Sequence, residues 1–444
     1  MPFKGARHMD PETIGWIGLG AMLLLLLLRV PVAFAMALVG FFGYAAVSGW
    51  KPALKMIGMV PYTSIATYGF SVIPLFLIMG SFAARAGLVN DLFRMARLWV
   101  GRIPGGLVHA TIVAGSAYGA ASGSGIAATT VLATTCVPEM RKGGVDKVLA
   151  CGTVAAVGPI DQMIPPSILM VIYCIITGAS LGQLLIAGIL PGILLAAGFM
   201  IMVYVRVKRN PALAPLMEEK VTWRQRFISL KNIWGILLLA GIVLGGIYSG
   251  IFTPTEAGAI GAFGAFLMAL VTKGQNRREL GQSLLDAARV TAMIFMIIAG
   301  AFIFGYFLTI TRIPSNVSAF VTGLDVAPIF ILIAVMLMYL VLGMFVDMVA
   351  ALFITLPIIF PAMVKLGFDP IWFGVLIVMQ CEIALISPPF GLSLFIVKGV
   401  VKDITMNEVI RGIVPFFLVD LLVLILYIAF PQIALFLPQM MMGK

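Results

Sequence analysis

Apolar residues run through this chain in blocks of bilayer-spanning length, divided by short polar segments. Residues 14–28 and 31–47 read as two helices joined through Arg29 and Pro31. No small-residue cleavage site follows the first, which excludes a cleaved signal peptide. A third span covers 70–87, after a connecting segment that includes KPALKMIGMVPYTS. In 88–104, Leu88, Leu92, Met95 and Leu98 share one helical face while Arg94, Arg97 and Arg102 take another, the pattern of a helix lying in the membrane interface. Simple spans follow at 184–204, 234–251, 256–272, 290–311 and 414–430. Residues 206–231 form the one long polar linker.

Two stretches break this regularity. Residues 105–138 are two apolar arms of about 15 residues joined by ASGSG (121–125), and at about 1.5 Å per residue each arm reaches about 22 Å, short of a hydrocarbon core of about 30 Å. A re-entrant hairpin with its tip near mid-membrane fits better than two spans. The next span, 148–177, is interrupted at GPIDQMIPPS (158–167). Backbone groups freed inside a bilayer must find partners, so broken helices at that depth normally line a cavity. The alternative for ASGSG is close helix packing by small residues.

A shift of 223 residues maps Pro31 onto Pro254, Pro138 onto Pro361, Pro165 onto Pro388, Pro166 onto Pro389 and Met140 onto Met363. The breaks then have second copies: GMFVDM (343–348) as the tip of a hairpin over 326–361, and SPPF (387–390) inside a broken helix over 371–397. The expected fold is an all-α polytopic membrane protein of two inverted-topology repeats, each with a re-entrant helical hairpin and a broken transmembrane helix. The repeats span 14–205 and 232–430, divided by the 206–231 linker. Residues 1–13 read as a polar leader, with Met9 a second candidate start, and 431–444 as a tail. Each half crosses the membrane five times, and an odd number inverts the second copy.

At 61% hydrophobic and 11% charged, the chain excludes a soluble domain of this length. A net charge of +11 would ordinarily raise nucleic acid as a partner. Charge position argues otherwise. If the linker is cytoplasmic, 22 of the 29 Lys and Arg lie on its side and 7 on the other, which supports both termini outside and accounts for the positive charge as orientation bias. Cys136, Cys151, Cys174 and Cys381 sit in apolar runs without metal or disulfide spacing. There is no GxxxxGK[ST], HExxH or GxSxG, so nucleotide hydrolysis and the common hydrolase chemistries drop out. Pairing Ser124 with His109 in an intramembrane protease is the residual enzymatic reading.

Candidate chemistry gathers at the breaks. Ser122, Gly123 and Ser124 at the first tip offer carbonyls from one half-helix, amides from the next and hydroxyls beside them, a set suited to a cation and an anion together. Asp347 is a carboxylate at the second tip, readable as a cation ligand or as a helix N-cap. Asp161 lies in the first break and Glu382 near the second. Pro165, Pro166, Pro388 and Pro389 remove amides and expose carbonyls, with Ser167 and Ser387 adding hydroxyls. Arg312 could pair with a substrate carboxylate or simply anchor the interface. Glu256 reads as a cap of its own helix.

At ASGSGIAATTVLATTCVPEM, IPPSILMVIY, PTEAGAIGAFGA, GMFVDMVAALFITLPIIFPAM and SPPFGLSLFIVKGV, in that order, the chain resembles the large membrane (DctM-type) subunit of the tripartite ATP-independent periplasmic (TRAP) transporters. The resemblance covers residues 14–430. It implies an elevator-type secondary transporter that imports organic acids, of the sialic acid or C4-dicarboxylate class, with sodium as coupling ion and no other cofactor. It also implies two partners, a small four-helix membrane subunit (DctQ-type) supplied as a separate chain and a periplasmic substrate-binding protein (DctP-type), in the bacterial inner membrane. Carried over residue by residue, one sodium site falls at Ser122, Ser124, Gly158 and Pro165, and the other at Gly343, Asp347, Ser387 and Pro388. Substrate contacts are expected from Ser122, Gly123, Ser124, Asp161, Ser167, Arg312 and Gly343. An ion channel, whose filter also needs broken helices, is the rival reading.

The charge distribution predicts that single cysteines placed in 206–231 react only with reagents on the cytoplasmic side, and those in 312–325 only with periplasmic ones. Labelling of both segments from one face would end the inverted-repeat reading.

Overall fold

The computed structural model describes residues 9–85, 87–123, 125–216, 221–271 and 277–441. These are helical throughout, with short 3-10 turns and no strand among them. Six of the helices are long and apolar enough to cross a membrane, and eight if two sharply bent pairs each count as one span.

The helices pack as two groups. In the first, Val32–Ser48 lies along the 34-residue helix Arg277–Ile310, while Val72–Arg85 packs on Pro254–Val271, which packs in turn on Trp234–Tyr248. Backbones meet closely here: a Cβ added at Gly40 would come within 2.7 Å of the Phe304 backbone. Small residues buy such contact in membranes, where burial from lipid supplies no hydrophobic gain. The second group holds both hairpins and both broken spans, flanked by Ile189–Arg209 and Met406–Ala429. Its centre is Pro370–Ile386, buried at every position from Ile371 to Ile386. Leu88–Val100 and Ile313–Thr322 lead from the first group to the hairpins, each preceding one in the chain.

Helix boundaries recur at the 223-residue offset. Pro11 begins a helix and so does Trp234; Gly125–Lys142 matches Met348–Lys365 end for end. Asp146 caps the first broken span by accepting bonds from the Val148 and Leu149 amides at 2.9 and 3.0 Å. Asp369 does the same for the second, from Ile371 and Trp372 at 2.8 and 2.9 Å. Two residues before each cap stands a glycine of positive φ, Gly144 at 80° and Gly367 at 87°, a conformation that disfavours any side chain. The halves differ where Trp50–Ile65 and Tyr68–Ala84 meet at 55°, whereas the second half runs one unbroken helix over the equivalent positions, and at the breaks, where the first span passes into a 3-10 turn at Pro159–Gln162 while the second stays helical to Ile386.

Several expected boundaries move. Residues 51–64, read as a connection, lie in the helix Trp50–Ile65, whose lysines had hidden its buried face of Ala53, Met56 and Val60. The hairpins do not end at Pro138 and Pro361. Both prolines are carried inside helices that continue to Lys142 and Lys365, as happens in membrane helices whose freed carbonyl finds another partner. The arms are therefore 17 or 18 residues, not 15, and 18 residues reach about 27 Å, so arm length alone no longer argues for re-entrance. The linker holds the helix Trp223–Asn232, closed by a Thr222/Gln225 capping box and packed on Leu88–Val100, with the Arg226 Nε donating to the Leu98 carbonyl at 3.2 Å. The tail is a helix, Gln432–Met441, with Ala434 and Pro438 buried. Glu256 caps as expected, accepting from the Thr253 amide at 2.8 Å.

Across the second group, Gly152 of the first broken span meets Gly412 of the last long helix backbone to backbone, with no room for a Cβ on either. Gly152→Val is expected to lower unfolding stability by about 1–3 kcal/mol through overpacking. Gly241→Ala, at a position with open space around it, should change little. Thermal unfolding in detergent compares the two, and equal midpoints would mean that the contact is not needed.

Candidate functional site

Each hairpin presents its tip to the break in a buried span. Gly106–Ser122 ends at Gly123, which adopts a left-handed φ of +64° and turns the chain into Gly125–Lys142. Gly123 faces the Pro166 carbonyl, and a Cβ there would stand 2.8 Å from that oxygen. On the same side, a Cβ at Gly119 would meet the Asp161 Cα and Cβ at 2.7 Å, and one at Gly125 the Gln162 amide nitrogen at 2.8 Å and the Asp161 Oδ1 at 3.3 Å. Gly158 abuts Thr129, whose hydroxyl donates to the Gly125 carbonyl at 2.7 Å. Glycine is thus required where the tip approaches the break, because the spacing leaves no volume for a side chain.

The break itself is a 3-10 turn at Pro159–Gln162 followed by the cis Pro165–Pro166 bond. Ser167 restarts the helix, accepting from the Met170 amide at 3.4 Å and fully buried. The structure therefore brings together Gly123, Gly158, Asp161, Pro165 and Ser167 around one tip. Ser122 ends the first arm, but its side chain and all of Ser124 lie outside the described residues. Gln162 and Thr129 belong to this cluster although nothing in the spacing singled them out; Gln162 is buried with its Oε1 unpartnered.

At the second tip, Pro328–Phe345 and Met348–Lys365 are separated by Val346 and Asp347. The Asp347 Oδ1 accepts from the Val349 and Ala350 amides at 3.0 and 3.4 Å, so the capping geometry is present. Asp347 is exposed at this tip. Gly343 lies against Met348 and, 2.5 Å from where a Cβ would be, Ala384 of the broken span. The Ser387 hydroxyl donates to the Ile383 carbonyl at 2.7 Å, and the Pro388–Pro389 bond is cis. Phe345 of the tip and Phe390 of the break set their rings 5.1 Å apart. Gly343, Asp347, Ser387 and Pro388 thus share one neighbourhood.

Two residues fall elsewhere. Arg312 is exposed at the turn between Arg277–Ile310 and Ile313–Thr322, on neither tip nor break. His109 occupies the first turn of Gly106–Ser122, bonded to the Pro104 carbonyl at 3.0 Å; 13 residues of helix put it about 20 Å from Ser122, which removes the hydrolase pairing. Glu382 lies in the fully buried stretch of the second broken span, and Asp420 is buried in Met406–Ala429, which packs on that span. Asp420 was not singled out, though a lone acid in the apolar run 412–430 was a readable signal.

Hairpin tips docked on interrupted spans in an all-helical bundle make a polytopic helical membrane protein. The fold is shared with a transporter of known structure, YdaH of Alcanivorax borkumensis, at a TM-score of 0.58 over 85% of this chain and 89% of that one, with 16% identity. Residues 19–433 match the family described as the tripartite ATP-independent periplasmic transporter, DctM component, and the chain belongs to that family. It is 37% identical over 376 residues to the C4-dicarboxylate TRAP transporter large permease protein of Pseudomonas aeruginosa, covering 84% of this chain and 86% of that protein. It is 30% identical over 439 residues to the sialic acid TRAP transporter large permease protein of Vibrio cholerae, covering 98% and 99%. The chain is accordingly a multi-pass inner-membrane protein and not an enzyme.

The two roles of Asp347 separate by substitution. Asp347→Asn keeps a capping oxygen and should retain stability, while Asp347→Ala should lose about 1 kcal/mol. If the carboxylate holds sodium, both variants should lower apparent sodium affinity by about tenfold or more, since about 1.4 kcal/mol is one decade. Sodium-dependent uptake at matched expression reads this out, and wild-type sodium dependence in the Asn variant would leave Asp347 a cap alone.

Proposed function

We propose that this chain is the transport subunit of a sodium-coupled importer of a carboxylate-bearing organic acid. The observation that carries the proposal is that both tip-and-break pairs are built alike, at one sequence offset, inside a single buried group of helices. Two equivalent sites in inverted halves suit alternating access about the bilayer midplane. The substrate class follows from the relatives, a C4-dicarboxylate permease and a sialic acid permease. The residues proposed for sodium are Ser122, Ser124, Gly158 and Pro165 at the first tip and Gly343, Asp347, Ser387 and Pro388 at the second.

In this reading the hairpin-bearing group moves against the group built on Arg277–Ile310, and the helices Leu88–Val100 and Ile313–Thr322 act as the arms joining them. Sodium bridges carbonyls across a tip and its break, which neutralises Asp347 and pre-organises the tip before the substrate carboxylate arrives. Positive cooperativity between ion and substrate follows, because the ion removes the cost of ordering the site. Asp161 would repel a bare carboxylate, so it serves a substrate hydroxyl while the anion faces the amides at the start of Gly125–Lys142. A four-helix membrane subunit and a periplasmic binding protein complete the system, and both termini face the periplasm.

Proteoliposomes containing the chain, its small subunit and the binding protein should take up substrate on an inward sodium gradient without ATP. Undiminished uptake with potassium replacing sodium on both sides would overturn the sodium assignment.

A further inference from the structure

Arg312 carries a charge that neither hairpin tip uses. It follows the long helix Arg277–Ile310 and stands directly before the arm Ile313–Thr322 in a left-handed conformation, φ 58°. Gly87 takes the same place before the other arm, Leu88–Val100, at φ 75°. That conformation suits glycine, so Arg312 sits there at a cost that glycine would avoid. Arg29, at φ 63°, is the one other such residue among those described. The Arg312 side chain is exposed, has no ion-pair partner among the described residues, and lies in a stretch, 287–324, without Asp or Glu.

The same turn borders a cavity of about 430 Å³, lined by Thr309, three residues before Arg312, and by Pro314, two after it. Both groups of helices supply its walls: Phe302 and Leu308 from the long helix, Ile176 from the first broken span and Phe353 from the second hairpin. The Thr309 hydroxyl is spent on the Gly305 carbonyl at 2.8 Å. Gly305 leaves the space open, for a Cβ there would meet nothing within 4 Å. Residues 302–309 precede Arg312 by three to ten positions, about 5–15 Å of helix rise, and one leaflet of hydrocarbon is about 15 Å deep. A cation at the end of a span, above an apolar slot of that reach, matches a phosphate with an acyl chain attached. A small organic acid has no chain to fill the slot, and its carboxylate would be stripped of water against apolar walls.

We propose that this cavity and Arg312 bind one phospholipid of the leaflet at that end of the helix, with the phosphate on the guanidinium and one acyl chain between the two groups of helices. The lipid touches both groups and the turn that leads into the second arm. The site does not depend on which ion or substrate is carried.

Photolabelling of the full chain in lipid-free nonionic detergent tests this, with a phosphatidylglycerol whose acyl chain bears a diazirine and a diacylglycerol with the same chain. Mass spectrometry of the peptides should place the phospholipid label in 301–309 and 353–357, and the diacylglycerol should label them far less. Arg312→Gly, which keeps the left-handed turn, should raise the half-saturating concentration about fivefold, the factor for one basic residue against an anionic headgroup, while Arg312→Lys stays near the wild type. Gly305→Trp should fill the slot and remove the label from 353–357, and Arg312→Gly decides alone if that variant does not fold. Excess glycerol phosphate or succinate should displace nothing. Label absent from both segments, equal labelling by the diacylglycerol, wild-type saturation in Arg312→Gly or wild-type labelling in a folded Gly305→Trp would each overturn the proposal. So would displacement by either free anion, which would make this an anion site, or protection by the small subunit, which would make it a protein contact.

Discussion

The contact on which the site depends is the approach of a hairpin tip to an interrupted, buried helix. At Gly119, Gly123 and Gly125 the tip comes so close to Asp161, Gln162 and Pro166 that no side chain fits between. A broken helix at this depth leaves carbonyls that lipid cannot satisfy, and an isolated tip leaves amides in the same condition. Bringing one to the other answers both deficits, and Gln162 is left buried there with its Oε1 unpartnered.

This arrangement also sets what can move. The tips and breaks share one group of helices, so displacing that group as a body would preserve the contacts at Gly123 and Gly343. The long helix Arg277–Ile310 and its partners pack chiefly among themselves through backbone contacts at Gly40 and Gly300. Close-packed interiors are bistable rather than continuously deformable, which favours sliding between two such bodies over bending within either.

The buried acids belong to the same group of helices. Asp161, Glu382 and Asp420 come from the first break, the second broken span and the last helix, so their burial is a property of the assembled bundle. Asp146 and Asp369, by contrast, are each satisfied within three residues by the amides they cap.

The sequence alone determined the membrane setting, the two breaks, the 223-residue offset and the family, because each of these is written locally: apolar run length, proline and glycine position, and motif order. Asp347 as a cap and Glu256 as a cap were legible for the same reason, since capping involves residues two or three apart. Tertiary structure decided what depends on distant partners. Pro138 and Pro361 stay inside helices, and residues 51–64, 223–232 and 432–441 are helical despite polar or interrupted patterns, because neighbours bury one face of each. Gln162 and Thr129 enter the first site only through folding, for no local spacing records which helix a buried polar group will face.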